Sequence, residues 1–305
     1  LETQFGGPDT GIFTDGSCDP NPGRGGWGWV WVEDGKILDR GNGRDPDTTN
    51  NRMEPKALVE AFKKCCNANF KTKDLGPLSF ALGIRVARPK IVLPEQSISI
   101  DQEAFIDEMA EEFGMSQCKP VPTPQVPKQY LEKAASSSHA DGVRCLNAEE
   151  HKLYRKLVGK MLYLNRGTRP DISNAVRELS RFVSQPDQTH WQAAKRLLRY
   201  VIGSKRYKLT LGGQPVLYPY ADADWANSSN RRSISGMAIK LGFGLVSWKS
   251  KMQSTVTLSS TEAEYNSLSE TAREVIWLRH LLADLGHEQD GATIIYEDNQ
   301  QTIVW

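Results

Sequence analysis

Two hydrophobic periods alternate along the chain, and each change of period marks an element. Ile12-Phe13-Thr14 reads as a strand ending at Asp15, and Trp27 to Val32 as a second, strongly β-forming run. Asp34-Gly35 is a hairpin signal, with a return strand over 36–42. A polar loop covers 44–51. A helix then starts at Met53-Glu54-Pro55, with Leu58, Phe62 and Cys65 or Cys66 at helical spacing.

In the middle third, the apolar runs 80–84 and 91–93 suggest a hairpin, and Phe105, Met109 and Phe113 a short helix ending at Gly114. Residues 120–140 are rich in Pro, Ser and Lys and read as a linker or exposed loop. Three helical stripes follow: Tyr154 to Leu162, Val176 to Val183, and Trp191 to Val201. Arg169-Pro170-Asp171 breaks the first from the second, with Asp171 as N-cap or first-turn acid. In the last third, 216–220, 233–241 and 245–249 read as strands. A long helix capped by Thr261 runs to about Leu285 and Gly286; a strand over 292–296 and a helix from Asn299 complete the pattern.

Composition changes this picture little. With 39% hydrophobic and 25% charged residues the chain can bury a core. A net charge of +1 gives no global argument for a polyanionic partner, so a nucleic-acid footprint would be local. The five cysteines form neither a C-x-x-C pair nor a zinc pattern. Their odd number, without a leader segment, leads us to expect an intracellular setting, and no apolar run is long enough to span a membrane.

The chemistry-bearing stretch is Tyr220-Ala221-Asp222-Ala223-Asp224-Trp225. Its D-x-D is open to two readings, a pair of turn carboxylates or metal ligands. Ser259-Ser260-Thr261-Glu262-Ala263-Glu264 opens the long helix, and the strand over 292–296 runs into Glu297-Asp298-Asn299. One helix start and two strand ends each deliver a carboxylate, and parallel neighbouring strands would let all three meet. Oxygen-only ligands suit Mg²⁺ or Mn²⁺, and two such ions can stabilise both oxygens of an in-line phosphoryl displacement. Lys195, Arg196 and Arg199 make a basic helix face, open to phosphate contact or to simple solvation.

Y-A-D-A-D-W-A, R-R-S-I-S-G, W-K-S-K-M-Q-S-T-V-T-L-S-S-T-E-A-E-Y, I-W-L-R and Y-E-D-N-Q together resemble the ribonuclease H region of copia-type retrotransposon polyproteins. The resemblance makes Asp222, Glu264 and Asp298 the metal ligands. It leaves Asp224 and Glu262 as solvated or secondary acids. F-A-L-G-I, Y-R-K-L-V-G-K-M-L-Y-L, T-R-P-D-I and A-A-K-R-L-L-R-Y resemble the same polyproteins' reverse transcriptase beyond its palm, with thumb and connection guiding a duplex. The polymerase signature Y-x-D-D is absent from this sequence, so we expect no DNA synthesis. F-T-D-G-S-C-D-P-N-P-G-R-G-G-W-G and T-T-N-N-R-M-E resemble the first half of a cellular type 1 ribonuclease H. This implies Asp15 and Glu54 as metal ligands, with Asn50 and Asn51 touching the hybrid's backbone. Asp15 and Glu54 are 39 residues apart (54 − 15) and Asp222 and Glu264 are 42 apart (264 − 222).

The expected architecture is α/β, an incomplete ribonuclease H-like mixed sheet with a largely helical thumb/connection-like segment. The expected boundaries are 1–70, 71–214 and 215–305. The resemblance implies an endonuclease that hydrolyses the RNA strand of RNA–DNA hybrids with Mg²⁺ or Mn²⁺. The alternative is a non-catalytic, nucleic-acid-binding remnant. The fourth acid of the family is missing, which leads us to expect weak activity or none.

Overall fold

The structure is a computed structural model. It describes residues 10–20, 22–48, 50–69, 73, 76–88, 97–127, 131–132, 144–226 and 231–303, without the side chains at 47, 50–52, 54, 55 and 69. The chain divides into two units, 1–77 and 78–305.

The first unit is an antiparallel meander of β1 (Gly11–Cys18), β2 (Gly23–Glu33) and β3 (Lys36–Thr48), in the order β1-β2-β3. The hairpin turns on Asp34 and Gly35, both left-handed at φ 50 and 71, as a two-residue loop of this type requires. The expected return strand continues to Thr48, through residues read as a polar loop. Its Gly41 and Gly43 lie opposite Trp29 and Trp27. A Cβ at Gly41 would sit 2.6 Å from Trp29 Nε1, and one at Gly43 2.5 Å from the Trp27 ring. The indoles supply the cross-strand packing that the glycines lack.

Helix α1 (Asn50–Asn69) starts three residues before Met53 and packs over β1 and β2. Met53, Ala57 and Ala61 form its buried face, whereas Leu58 and Phe62, which carried the helical spacing, are 57% and 66% exposed. Periodicity marked the helix correctly, but packing selected the smaller residues one position away.

The second unit begins with β4 (Phe80–Ala81), β5 (Ile84–Ala87) and β6 (Ser97–Asp101). Together with β7 (Leu209–Gly212) they form an antiparallel sheet in chain order. The run 80–84 folds in its middle, at Leu82 (φ 51) and Gly83 (φ 71). Residues 91–93 lie outside the described residues.

Next come α2 (Glu103–Glu112), α3 (Ala148–Gly167), a 3-10 turn (Pro170–Ile172), α4 (Ser173–Ser180) and α5 (Gln188–Gly203). Ile106, Met109, Tyr154, Leu157, Met161 and Leu197, each at most 1% exposed, lie in the core these helices share. The Arg169-Pro170-Asp171 break is a corner built around a buried arginine. Arg169, 1% exposed, donates to Asp171 Oδ2 at 2.7 Å and Ser204 Oγ at 2.6 Å. Asp171 is thus an ion-pair partner inside the turn, and Ile172 occupies the N-cap of α4.

The last part holds β8 (Leu217–Asp224), β9 (Ile234–Leu241), β10 (Gly244–Met252), α6 (Ser260–Asp284) and α7 (Gln300–Ile303). The antiparallel sheet β10-β9-β8 buries Leu217 and Ile239 against Val275, Leu278 and Leu282 of α6. Tyr296 makes a parallel bridge to Tyr220: the Ala221 amide donates to its carbonyl at 3.0 Å, and its own amide to that of Pro219 at 2.9 Å. The N-cap of α6 is Ser259, whose Oγ accepts from the Glu262 amide at 3.1 Å; Thr261 lies inside the helix. The helical part and this sheet share one unit. Trp248 Nε1 donates to Asn165 O at 3.0 Å and Arg177 Nε to Ser250 Oγ at 3.2 Å. The chain is therefore a mixed α/β protein with several antiparallel sheets, and the expected boundary at 214/215 falls within its second unit. Among the described residues no helix is long and apolar enough to cross a membrane.

Candidate metal centre

The burial of β8 alternates along 217–222, with Leu217, Pro219 and Ala221 buried under α6 and Tyr218, Tyr220 and Asp222 exposed on the opposite face. Glu264 comes from the first turns of α6. Hydrogen bonds from Ser267 Oγ to the carbonyls of Asp222 (2.7 Å) and Gly236 (3.1 Å) clamp this end of the helix to the sheet. Asp298 lies two residues beyond the Tyr296 bridge. Carboxylate oxygens of Asp222, Glu264 and Asp298 all come within 4.8 Å of one another.

Asp222 and Asp298 are exposed, whereas Glu264 is 6% exposed and its Oε2 is buried without a hydrogen-bond partner. Burial pushes the Glu264 carboxyl up to about 7, helped by the negative charges of Glu297, Asp222 and Asp298. A buried, orphaned carboxylate oxygen among acids is costly unless a proton or a cation joins it. The donor set is all oxygen, so it fits a hard divalent cation.

Glu297 is the residue that sequence reasoning passed over. Its Oε1 accepts from the amides of Asp298 and Asn299, both at 3.1 Å, and its Oε2 is buried without a partner. Burial raises its pKa, opposed by those two amide bonds. Its charge acts on Glu264 ahead of those of Asp222 and Asp298. The sequence offers no signal for it beyond its place beside Asp298; its action on Glu264 follows from the fold.

The secondary acids divide. Glu262 Oε2 accepts from the Leu258 amide at 2.6 Å, a helix-start role, and Asp224 ends β8. The basic face of α5 is largely engaged within the unit. Arg196 Nη2 donates to Thr123 Oγ1 at 2.8 Å and Arg199 Nε to Lys119 O at 2.7 Å. Lys195 Nζ sits 5.5 Å from the Trp191 ring centroid. Two of the three thereby tie 119–123, which overlaps the start of the loop expected over 120–140, to α5.

In the first unit, Asp15 is exposed on β1, opposite Gly28. Asn50, Asn51 and Glu54 fall in the first turns of α1, and their side chains lie outside the described residues.

Comparison with known proteins matches both units. Residues 8–73 match the RNase H family model. The chain is 36% identical, over 81% of its length, to "Retrovirus-related Pol polyprotein from transposon TNT 1-94" of Nicotiana tabacum, and covers 18% of that protein. It is 37% identical, over 75% of its length, to "Retrovirus-related Pol polyprotein from transposon RE1" of Arabidopsis thaliana, covering 15% of it. The chain thus spans under a fifth of the length of these polyproteins. A 51-residue stretch is 56% identical to "Ribonuclease H" of Herminiimonas arsenicoxydans, over 17% of this chain and 34% of that one. No solved structure matches. Over most of its length the chain is similar to copia-type Pol polyproteins of plant transposons, consistent with a fragment of such a polyprotein, and at its N-terminal end it carries a segment that matches the RNase H family model.

Proposed function

We propose that the second unit carries a divalent-metal-dependent ribonuclease H-type centre that hydrolyses the RNA strand of RNA–DNA hybrids, with Asp222, Glu264 and Asp298 as its ligands. The observation that carries this reading is the meeting of the three carboxylates within 4.8 Å, one of them buried with an orphaned oxygen. The Pol relatives and the N-terminal RNase H segment support the same class of chemistry.

Mg²⁺ or Mn²⁺, when bound, supplies Lewis-acid stabilisation of the phosphoryl oxygens and a lowered pKa for an attacking water. The residues themselves position and charge the site. Asp222 and Asp298 present exposed carboxylates to a phosphodiester. Glu264 holds the inner position and carries a proton below a pH of about 7 until a cation takes its place. Glu297 fixes the backbone of Asp298 by accepting its amide. We further propose a ligand role for Asp15 and Glu54, within the first unit alone, that adds little to the rate, and a nucleic-acid role for Asn50, Asn51, Lys195, Arg196 and Arg199.

The test is cleavage of a labelled RNA–DNA hybrid in Mg²⁺ or Mn²⁺, beside an Asp222→Asn/Asp298→Asn double variant. Cleavage that the variant lacks is the expected result. Salt-sensitive hybrid binding by folded chain without cleavage would replace this reading with the binding remnant.

A further inference from the structure

The face of the sheet that bears Asp222 is not flat. Its middle strand carries two small residues there. The cross-strand rows are Tyr220–Ala238–Trp248 and Asp222–Gly236–Ser250. The edge strands place side chains on both flanks while β9 leaves a trough between them. The 3-10 turn, through Pro170 and Asp171, and α4, through Ser173 and Asn174, form a wall of this trough. The resulting groove has a volume of about 470 Å³, and Asp222 and Asp224 line it.

Its lining is organised. The Tyr220 ring is stacked on Tyr296 with centroids 5.1 Å apart, so an aromatic pair edges one flank. The Trp248 indole is held on the other by its bond to Asn165 O. Arg177 donates to Ser250 Oγ at 3.2 Å and to Asn174 Oδ1 at 2.7 Å, fixing both polar groups. The glycine is not required by packing: a Cβ at Gly236 would meet only Asp222 O, at an ordinary 3.7 Å.

We propose that this groove seats a nucleotide of the bound nucleic-acid strand, adjacent to the phosphodiester held at the carboxylates. The inference rests on the function proposed above and adds a binding subsite to it. The chemistry points to a nucleotide because three features coincide. Small residues between two aromatic side chains leave a slot for a flat ring, and base–aromatic stacking holds any base. The amide of Asn174 and the hydroxyls of Ser173 and Ser250 meet a sugar or a base edge. Asp222 and Asp224 repel a phosphate unless a cation is present, so the phosphate belongs at the metal end and the base in the trough.

The experiment fills the trough. Gly236→Val and Ala238→Leu add side chains to the floor, the first a β-branched residue suited to a strand. Hybrid affinity is read by fluorescence anisotropy in Ca²⁺, and Ca²⁺ affinity separately by calorimetry, with circular dichroism melts to confirm folding. Each variant is expected to bind the hybrid about tenfold more weakly, within the range of one lost stacked base, while binding Ca²⁺ as the unmodified chain does. Unchanged hybrid affinity in both folded variants would overturn the groove and leave the proposed function standing. If the unmodified chain binds no hybrid, both fall.

Discussion

The chain contains one local pattern twice, and only one copy is accompanied by a third carboxylate among the described residues. In both units a strand with an Asp leads into a hairpin and then a helix with a Glu near its start. In the second unit Tyr296 pairs with the free side of β8, Asp298 arrives with it, and α6 buries Val275, Leu278 and Leu282. In the first, β1 is paired to β2 alone among the described strands, and α1 leaves Leu58 and Phe62 exposed. The difference teaches that strand, hairpin and helix are local products, whereas the site needs a distant segment beside the first strand.

Catalysis separates the copies most sharply. Asp222→Asn is expected to lower hybrid cleavage by about 10³-fold, the scale of losing one electrostatic contact of the reaction centre. Asp15→Asn is expected to leave the rate within about twofold, a change worth only ~0.4 kcal/mol. Initial rates on one labelled hybrid decide it, and the opposite order would reverse the comparison.

Stability is the next contrast. Leu278→Ala, beneath the β10-β9-β8 sheet, should cost about 2–5 kcal/mol in urea unfolding. Phe62→Ser on the open face of α1 should stay within about 0.5 kcal/mol, as surface changes do. A large loss for Phe62→Ser would show that this face is covered in solution.

A smaller effect comes from Glu264. Its folded pKa is raised from 4.5 to about 7, so the folded chain holds more protons than the unfolded chain between those values. Without metal, stability therefore falls as pH rises through that window and levels off above it. Glu264→Gln should raise metal-free stability at pH 8 by on the order of 1 kcal/mol and have little effect at pH 4. Added Mg²⁺ should stabilise the unmodified chain and much less the variant. Thermal melts in EDTA and in Mg²⁺ at both pH values check this.

An effect of similar size is expected at a helix start. Asn147 accepts from the Glu150 amide and Glu150 from the Asn147 amide, a capping box on α3. Asn147→Ala should cost about 1 kcal/mol, read as a shift in melting temperature.

The sequence by itself determined most of the local elements and named three of the acids, although the strand expected over 292–296 is a single bridge at Tyr296. Periodicity marked the helices of the core, Asp34-Gly35 marked its hairpin, and the motifs around 222, 264 and 298 named residues that the structure brings together. These are legible because period, turn chemistry and motif spacing act between near neighbours. Tertiary structure alone decided that the charge of Glu297 acts on Glu264 and that Arg196 and Arg199 tie 119–123 to α5. It also decided that β3 extends under two tryptophans, that Leu58 and Phe62 stay exposed, and that Gly236 and Ala238 open a groove. Each of these depends on which distant surface a side chain meets, and a residue's own neighbours in sequence carry no record of that surface.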